Sequence, residues 1–508
     1  MLNYIDDFLN KITMYRLVLY YLIGLLVVAL IFSFFGILPY NPVGLVYSVF
    51  FITLLCWIVN VISAKIFSVP SNVESVYITA LILALIISPI KTLDVQYFGF
   101  VAWAAIWSQT SKYILAIHRK HIFNPAAFAV ALTAITINQS ASWWVGTAWM
   151  LPAVLIGGFL MVRKIRRFDL VFAFFAAAVV TILAFDMTRG LPLLPSLQKI
   201  LVDSPLFFFA FVMLTEPLTT PPTKGLQIIY GGLVGVLFAP QINIASVFST
   251  PELALLVGNV FAYAVSPKKK LLLTLKEKMR LAPNLYDFIF AANTGMKFRA
   301  GQYLEWTLEH DKPDTRGNRR YFTIASSPTE KEIIMGVKFY EPASSYKKAM
   351  LDMEPGGQIL AGQLAGDFTL PKNPKEKSVF LAGGIGITPF RSMLKYLADV
   401  NEARDIILFY SNKNISEVVY TDVFDQAVSK IGLKTVYTLT DTTQIPPGWK
   451  GQTGPINSTI IAEEVPDFKE RVFYISGPHS MVTTFENVLL GMGVSNNKIK
   501  TDFFPGFA

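Results

Sequence analysis

The hydropathy of this chain divides it into two halves, and this division constrains the fold more than any single motif. Up to about Ser266 the sequence consists of long apolar runs joined by short loops. From Pro267 onward it has the mixed composition of a water-soluble α/β protein. Hydrophobic residues make up 53% of the 508 residues and only 16% are charged, which is too apolar for a wholly soluble chain. We therefore expect a membrane-embedded region followed by a soluble region.

A helix that crosses a bilayer needs about 20 mostly apolar residues. The first half offers about ten candidates and predicts a polytopic α-helical membrane domain. The candidates are 16–38, 43–64, 75–90, 96–117, 146–163, 168–186, 205–215 and 226–248, with shorter ones at 125–138 and 252–266. The first run continues past signal-peptide length without a small-residue cleavage site, so we interpret it as an uncleaved span.

The formal charge of +9 does not come from one basic patch, because the basic residues gather at the ends of apolar runs. This pattern favours the positive-inside rule over nucleic-acid binding, and we expect no nucleic-acid partner. The clusters are Lys112 with Arg119 and Lys120, then Arg163 to Arg167, then Lys268 to Lys270. With the N-terminus in the cytoplasm, all three clusters and the soluble half lie on the cytoplasmic side. The uncharged loop 138–146, with Trp143 and Trp144, is then expected at the outer membrane interface.

An internal repeat is visible in the apolar half. The segment 78–92 is similar to 208–223, and 121–134 is similar to 247–260. Pro89 and Pro125 are separated by nearly the same distance along the chain as Pro217 and Pro251. Five helices in each copy predict an inverted repeat, whose Pro-interrupted segments indicate a binding site near the membrane midplane. The alternative is that each Pro only marks the start or end of a helix.

The supply of metal ligands is small. Cys56 is the only cysteine, which excludes a thiolate-ligated iron–sulfur cluster and an internal disulfide. Of the four histidines, His310 and His479 lie in the soluble half, while His118 and His121 are three residues apart on one surface. Neither pair can ligate a membrane haem from both sides, so no metal site is predicted.

The soluble half changes periodicity twice. Short alternating strands between about 271 and 340 predict an antiparallel β-barrel. From Ser378 the pattern becomes apolar strand, glycine turn and helix, which predicts a doubly wound parallel sheet. We expect domains at 1–266, 267–373 and 374–508.

Four motifs occur in order in the soluble half. They are FRAGQYLEW (298–306), RRYFTIASSP (319–328), AGGIGITPF (382–390) and YISGPHSM (474–481). In this order they resemble the ferredoxin–NADP reductase superfamily, whose members pass hydride from NAD(P)H to FAD. The resemblance covers about residues 270 to 508.

This resemblance implies a set of site residues. Arg320 supplies a cation for the FAD pyrophosphate, Phe322 stacks on the isoalloxazine, and Thr323 lies near flavin N5. The implied FAD-binding residues are Arg320, Tyr321, Phe322, Thr323, Ser344, Ser345 and Phe507, with Phe503 and Phe504 as alternatives to Phe507 for the C-terminal aromatic. The implied NAD(P)H-binding residues are Gly383, Gly384, Gly386, Thr388, Pro389, Gly477 and Pro478. Thr323 and Ser476 are the candidate catalytic residues, although Ser476 replaces the family's cysteine. Lys413 lies where relatives distinguish NADPH from NADH, and the sequence leaves that preference open.

The apolar half resembles the D subunit of Rnf electron-transport complexes and the B subunit of sodium-translocating NADH:quinone reductase. The similar segments are 74–89, KHIFNPAAFA (120–129) and 211–232. Those relatives hold flavin within the membrane, one through a Thr of an S-G-A-T motif that this chain lacks. The resemblance implies a second flavin, FMN or riboflavin, bound without a covalent bond. Its candidate lining is Asn124, Thr215, Glu216, Thr219, Thr220 and Thr223; the alternative is that these side chains only cap helices.

Together these features predict an NAD(P)H-dependent flavin oxidoreductase of the cell membrane. Electrons would pass from NAD(P)H through FAD to the membrane flavin and on to a quinone or an acceptor across the membrane. Two alternatives stay open at this point. The apolar half could be a small-solute channel or transporter regulated by the reductase domain, or the chain could be a subunit of an ion-pumping redox complex. A homo-oligomer or other complex partners are compatible with either.

Overall fold

The long apolar runs of the first half form helices, as their composition dictates. The computed structural model describes residues 5–6, 8–9, 12–67, 73–91, 95–117, 120–244, 247–266, 270–291, 296–311, 313–314 and 317–504. The chain divides into two compact units, Met1–Lys269 and Lys270–Ala508. The helices of the first unit are α1 (Met14–Phe34), α2 (Pro42–Ile66), α3 (Val73–Ile86), α4 (Val95–Ile114), α5 (Pro125–Ile137), α6 (Leu151–Ile165), α7 (Phe168–Thr188), α8 (Leu193–Val202), α9 (Leu206–Phe208), α10 (Lys224–Leu237) and α11 (Pro251–Val265).

A helix overlaps each of the ten predicted apolar segments, but several of these helices are short. Among the described residues, three helices are long and apolar enough to cross a membrane: α1, α2 and α7. A fourth span results if α8 and Leu206–Met213, which bend by 51°, count as one. The count of about ten spans is therefore not confirmed. Helices α5 and α11 are followed directly by a polar residue, Asn138 or Ser266, and α3 and α10 are followed by Pro within three residues. A composition window does not register these breaks.

The internal repeat has a structural counterpart. Two small antiparallel hairpins, β1–β2 (Ala116–Ile117 with Lys120–His121) and β3–β4 (Asn243–Ile244 with Val247–Phe248), each precede a short helix. Asn124 caps α5 and Thr250 caps α11, and Pro follows each cap at the first helical position. This order is favourable because the side-chain oxygen satisfies a free amide and Pro has no amide to satisfy.

Close packing of the apolar unit depends on small residues. On α10, a Cβ added at Gly231 or Gly235 would lie 2.5 Å from the backbone oxygen of Leu170 or Phe174. Helices α7 and α10 therefore approach closely, as small residues permit at helix interfaces within membranes.

The Trp pair of the loop after α5 packs within the apolar unit, and the position of this loop at the outer membrane interface stays a prediction. Trp143 and Trp144 are both buried. The Trp144 indole N–H lies 2.9 Å from the backbone oxygen of Ala84 and 3.0 Å from that of Ile87. These carbonyls belong to the end of α3, where the helix leaves its last carbonyls without internal partners. Trp144 therefore caps a helix end that stops among apolar residues, while the Trp143 indole donates to Glu252 Oε2 at 3.2 Å.

The second unit begins with a six-stranded antiparallel sheet. Its strands are β5 (Leu271–Ala282), β6 (Leu285–Ala291), β7 (Tyr303–Thr307), β8 (Arg319–Thr323), β9 (Glu332–Lys338) and β10 (Gln358–Ala365), in the order β8-β7-β10-β5-β6-β9. The Ala325 amide donates to the Ile334 carbonyl at 2.8 Å, which joins the two ends of this order. The sheet thus curls toward a barrel around Phe288, Phe290 and Trp306, and α12 (Ser345–Leu351) packs against it.

A parallel sheet follows, in the order β14-β13-β12-β11-β15-β16. Its elements are β11 (Ser378–Gly383), a 3₁₀ turn (Gly384–Ile387), α13 (Thr388–Val400), β12 (Ile406–Asn412), α14 (Thr421–Ile431), β13 (Lys434–Leu439), β14 (Gln452–Thr453), α15 (Ser458–Glu464), β15 (Val472–Pro478), α16 (His479–Gly491) and β16 (Ile499–Phe504). The chain builds outward from β11 to β14 and then returns to β11's other side. The strand order therefore reverses between β11 and β15, where such sheets bind ligands beyond their carboxyl ends.

Candidate functional sites

Strand β8 places Arg320 and Phe322 on one face of the barrel. Side chains two residues apart in a strand point the same way. The Arg320 guanidinium lies 5.0 Å from the ring centroid of Tyr346, and the Phe322 ring lies 6.3 Å from the same ring. Arg320 is only 5% exposed, and its Nη1 donates to the backbone oxygens of Gly317 and Arg319 at 3.2 and 2.7 Å. Tyr346, which the sequence did not single out, organises this face, and burial raises its pKa.

Tyr321 and Thr323 lie on the opposite face of β8. The Tyr321 hydroxyl donates to Glu305 Oε2 at 2.8 Å, so Tyr321 is not brought together with Arg320 and Phe322. Thr323 is buried, and its Oγ1 lies 3.4 Å from Oδ2 of Asp502 on β16. Asp502 is also the register partner of Ser476 on β15. Asp502, a residue that no sequence motif indicated, is therefore next to both candidate catalytic residues, through its carboxylate for Thr323 and through the strand pairing for Ser476.

The hydroxyls of Ser344 and Ser345 already have protein partners. Ser344 caps α12 by accepting from the Lys347 amide at 3.3 Å. Ser345 Oγ accepts from the Asp314 amide at 2.8 Å and lies 3.0 Å from His310 Nε2. Both serines hold the loop beside Tyr346 in place. Phe507, the remaining FAD candidate, lies outside the described residues.

The glycines of the turn after β11 have different tasks. A Cβ on Gly386 would lie 2.2 Å from the backbone oxygen of Ser476, and one on Gly383 would lie 2.2 Å from Met481 Sδ. Gly386 needs glycine because the backbone of β15 approaches closely, whereas the flexible Met481 side chain beside Gly383 could move. Gly384 has φ +51° and open space around its Cβ position. Its backbone therefore borders free volume directly before Thr388 and Pro389, which begin α13.

The carboxyl edge of the parallel sheet contains two buried hydroxyls without partners. Ser476 Oγ and Thr438 Oγ1 are fully buried and have no hydrogen-bond partner among the described residues. A buried polar group left unsatisfied costs about 1–3 kcal/mol. Ser476 directly precedes Gly477 and Pro478 and pairs with Ala382 at the end of β11. A polar ligand at the reversal between β11 and β15 would supply a bond to Ser476, and one that extends along the edge past β12 would also reach Thr438 on β13. An elongated ligand such as a nucleotide fits this arrangement.

The apolar unit brings five of its six candidate residues into one polar cluster. Asn124 Nδ2 donates to Glu216 Oε2 at 2.9 Å, and Thr219 Oγ1 donates to the same oxygen at 3.0 Å. Thr220 Oγ1 donates to the Glu216 backbone oxygen at 3.1 Å. Thr215 is buried beside them, and its Oγ1 donates to the Phe211 carbonyl. The hydroxyl of Thr223 makes no cap bond at the start of α10.

Further residues complete this cluster, and the sequence did not indicate them. Asn259 Oδ1 accepts from the Asn124 amide at 2.8 Å, and its Nδ2 donates to the Tyr230 hydroxyl at 3.3 Å. Arg167 Nη1 donates to the Thr215 carbonyl at 3.0 Å and to the Thr220 hydroxyl. Arg167 belongs to the basic run that the sequence explained by topology alone. We call Asn124, Arg167, Thr215, Glu216, Thr219, Thr220, Tyr230 and Asn259 the Glu216 cluster.

Two known protein families match this chain, one in each half. Residues 145–267 match the NQR2, RnfD, RnfE family, and residues 380–487 match the oxidoreductase NAD-binding domain. Both resemblances that the sequence indicated are thereby confirmed. The chain combines a membrane domain of the first family with a nicotinamide-dependent oxidoreductase domain.

Individual relatives match only part of the chain. The stachydrine N-demethylase reductase subunit Stc4 of Rhizobium meliloti is 28% identical over 45% of this chain and 65% of its own length. The F subunit of the Na(+)-translocating NADH-quinone reductase of Neisseria meningitidis is 28% identical over 37% and 49%. The chain thus spans between about half and two-thirds of the length of these relatives.

Among solved structures, a ferredoxin NADP+ reductase from Neisseria gonorrhoeae matches 47% of this chain and 100% of its own, at 19% identity and a TM-score of 0.40. The flavohem-like FAD/NAD binding domain of nitric oxide dioxygenase from Vibrio cholerae matches 46% and 98%, at 19% identity and a TM-score of 0.41.

Proposed function

We propose that this chain is a membrane-bound flavin oxidoreductase. It passes electrons from NAD(P)H through FAD to a second flavin in the membrane domain and on to a quinone or an acceptor across the membrane. Residues 1–266 form the membrane domain, with about ten spans in an inverted repeat. Residues 267–373 bind FAD and 374–508 bind NAD(P)H. The N-terminus and the reductase domain lie in the cytoplasm.

The convergence of Thr323 and Ser476 on Asp502 carries this proposal. Thr323 ends the strand that bears Arg320 and Phe322, whereas Ser476 lies at the carboxyl edge beside the glycine turn. A residue proposed for FAD and one proposed for NAD(P)H therefore both neighbour Asp502: Thr323 lies near its carboxylate, and Ser476 is its register partner on the adjacent strand. FAD supplies a ring that accepts hydride and can release electrons one at a time.

The chain's own residues have distinct tasks at this meeting point. Arg320 binds the pyrophosphate, and Phe322 provides a flat apolar surface beside it. Asp502 orients the Thr323 hydroxyl, which stays available as a hydrogen-bonding group at the reacting edge. Thr438 and Ser476 gain partners when the nucleotide enters. Burial of these groups excludes water from the site.

The Glu216 cluster supports the second half of the proposal. Polar groups in a membrane domain are costly and are functional candidates for that reason. Asn124, Thr215, Glu216, Thr219, Thr220 and Thr223 are the proposed lining for a flavin, FMN or riboflavin, held without a covalent bond.

Identification of the bound chromophores tests the whole proposal. The full chain, purified in detergent, is extracted and its flavins are identified by mass and counted per chain. We expect FAD and a second flavin, and reduction of flavin absorbance on adding NADH or NADPH. One flavin per chain would contradict the relay and favour a channel or transporter with a reductase domain. A second flavin together with Na⁺ or H⁺ movement in proteoliposomes would place the chain among ion-pumping complexes.

Two neighbouring arginines test the FAD assignment. Arg320→Ala should lower FAD affinity by about 10- to 100-fold, because it removes charge-assisted bonds. Arg319→Ala is the matched control, since Arg319 lies on the other face of β8 near Glu305. Equal FAD content in the two variants would contradict the assignment.

A further inference from the structure

The motif RRYFTIASSP continues beyond its flavin half, and the continuation contacts the nucleotide helix. Residues 324–330 follow Thr323 directly. Ser392 Oγ on α13 donates to the Ser326 carbonyl at 2.6 Å, and both residues are fully buried. Arg391 Nη1 donates to the Ala325 carbonyl at 2.8 Å. These bonds thus join the first turns of α13 to the segment that directly follows β8.

Arg391 also forms a bidentate ion pair with Glu330. Its Nη1 and Nη2 lie 2.7 and 3.0 Å from the two carboxylate oxygens. Glu330 in turn accepts from the Ser327 amide at 2.5 Å. Arg391 is only 7% exposed. A planar guanidinium paired in this way fixes orientation as well as distance, unlike an apolar contact that can slide. We call Ser326, Glu330, Arg391 and Ser392 the helix clamp.

The start of α13 is held from a second side. A Cβ on Gly336 of β9 would lie 2.8 Å from both Thr388 Cγ2 and the Tyr420 hydroxyl. That hydroxyl donates to Asp287 Oδ1 on β6 at 2.5 Å. The Arg391 guanidinium lies 5.4 Å from the Tyr420 ring centroid. The barrel therefore contacts the first two turns of α13 from two directions.

We propose that Arg391, through the helix clamp, is a positioning residue that sets the distance between the glycine turn and the flavin strand during hydride transfer. The inference rests on the proposed function of this unit. Arg391 does not touch the reacting atoms. The helix clamp holds α13 against the segment that follows Thr323. Because α13 begins directly after the Gly384–Ile387 turn, the clamp also fixes the position of that turn.

Arg391→Met in the full chain tests this role, with Arg471→Met as matched control. Arg471 is equally buried and forms a bidentate pair with Asp405, at 2.7 and 3.1 Å, but at the amino end of β15. Both variants remove a buried arginine from the same parallel-sheet region and should retain FAD. Only Arg391→Met should slow flavin reduction at saturating NADH or NADPH, by about 10- to 100-fold, as a misplacement of about 1 Å does.

Further measurements separate positioning from general weakening. Arg391→Met should raise the primary isotope effect with 4-deuterated nucleotide, and it should increase hydrogen exchange of backbone amides in 324–330 and 384–392. Glu330→Gln should cause the same defects, and the double variant should be no slower than either single one, because both act through one contact. Glu330→Gln also carries the test if Arg391→Met does not fold.

The outcomes separate this inference from the proposal beneath it. If neither NADH nor NADPH reduces the flavin of the wild-type protein, the proposed function is refuted. Hydrogen exchange in 324–330 and 384–392 would still show whether Arg391 holds these segments together. A wild-type flavin that is reduced normally, with Arg391→Met as fast as Arg471→Met and no extra exchange, would refute the positioning role alone.

Discussion

The Glu216 cluster and the carboxyl edge of the parallel sheet both bury hydroxyl groups, but they provide partners for them in different ways. In the cluster, Thr219 and Thr220 donate to Glu216, and Asn124 and Asn259 bond to one another. At the sheet edge, Thr438 and Ser476 have no hydrogen-bond partner among the described residues. The polar groups of the Glu216 cluster thus bond to one another, whereas the two hydroxyls at the sheet edge can still form hydrogen bonds to a ligand.

The difference follows from the surroundings. Within lipid no water can bond to a free donor, so a membrane domain has to satisfy its polar groups internally. The edge of a soluble α/β sheet can leave groups for a substrate that arrives from water. A ligand of the Glu216 cluster must therefore displace or extend existing bonds, whereas a nucleotide at the sheet edge only adds bonds.

Removal of the central carboxylate should have the largest effect. Glu216→Leu leaves donors of Asn124 and Thr219 without an acceptor, which should destabilise the membrane unit by about 2–4 kcal/mol. Thermal unfolding followed by tryptophan fluorescence measures this, because six of the eight tryptophans precede Lys270. Thr223→Ala is the control and should change stability by less than about 0.5 kcal/mol. Equal midpoints for the two variants would mean that the cluster does not depend on Glu216.

Asp287 is a buried carboxylate of the second unit that accepts few hydrogen bonds. Unlike Glu216, it should therefore destabilise its unit when it is charged. Burial raises its pKa from 3.8 to about 6. The folded protein binds this proton more tightly than the unfolded chain, so the stabilisation is complete below pH 3.8 and is lost as pH rises through 6. Relative to Asp287→Asn, the wild type should lose about 2–3 kcal/mol between about pH 4 and pH 7. Flavin fluorescence on unfolding at several pH values measures this; a pH-independent difference would contradict the raised pKa.

The smallest changes in stability are expected when Thr is replaced by Val at one position of each site, and they should have opposite signs. Thr219→Val removes a donor from Glu216 and should destabilise the membrane unit by about 1–2 kcal/mol. Thr438→Val removes a hydroxyl that has no partner among the described residues and should stabilise the nucleotide-free second unit by about 1 kcal/mol, while weakening nucleotide binding. Unfolding midpoints with and without NAD⁺ measure both. Stability changes of the same sign in the two variants would contradict the difference between the two sites.

Motif order indicated the reductase half because each motif is local. The glycine turn, Arg320 and Thr323 could be named as candidates from the sequence, because the motifs that contain them are local. Asp502 could not be named, because it reaches Thr323 only after β16 has added to the edge of the sheet. The resemblance placed Tyr321 with Phe322 in the FAD-binding set, whereas strand alternation separates their faces.

In the membrane half, the sequence located the helices and the Pro breaks but not the bonds between them. Arg167 was explained by topology, whereas it donates to Thr215 and Thr220 from another helix end. Trp143 and Trp144 have the composition of an interfacial loop but are buried against the end of α3. In each case the choice of partner depended on residues distant in the sequence.

The ends of the apolar runs, the alternation of the strands and the glycine turns could be read from the sequence alone, because these properties depend on local composition and backbone freedom. The tertiary structure decided which buried polar groups meet, as in Thr323 with Asp502, Arg391 with Glu330 and Asn124 with Glu216. A hydrogen bond needs its two atoms within about 3 Å, and only packing of distant segments brings such atoms together.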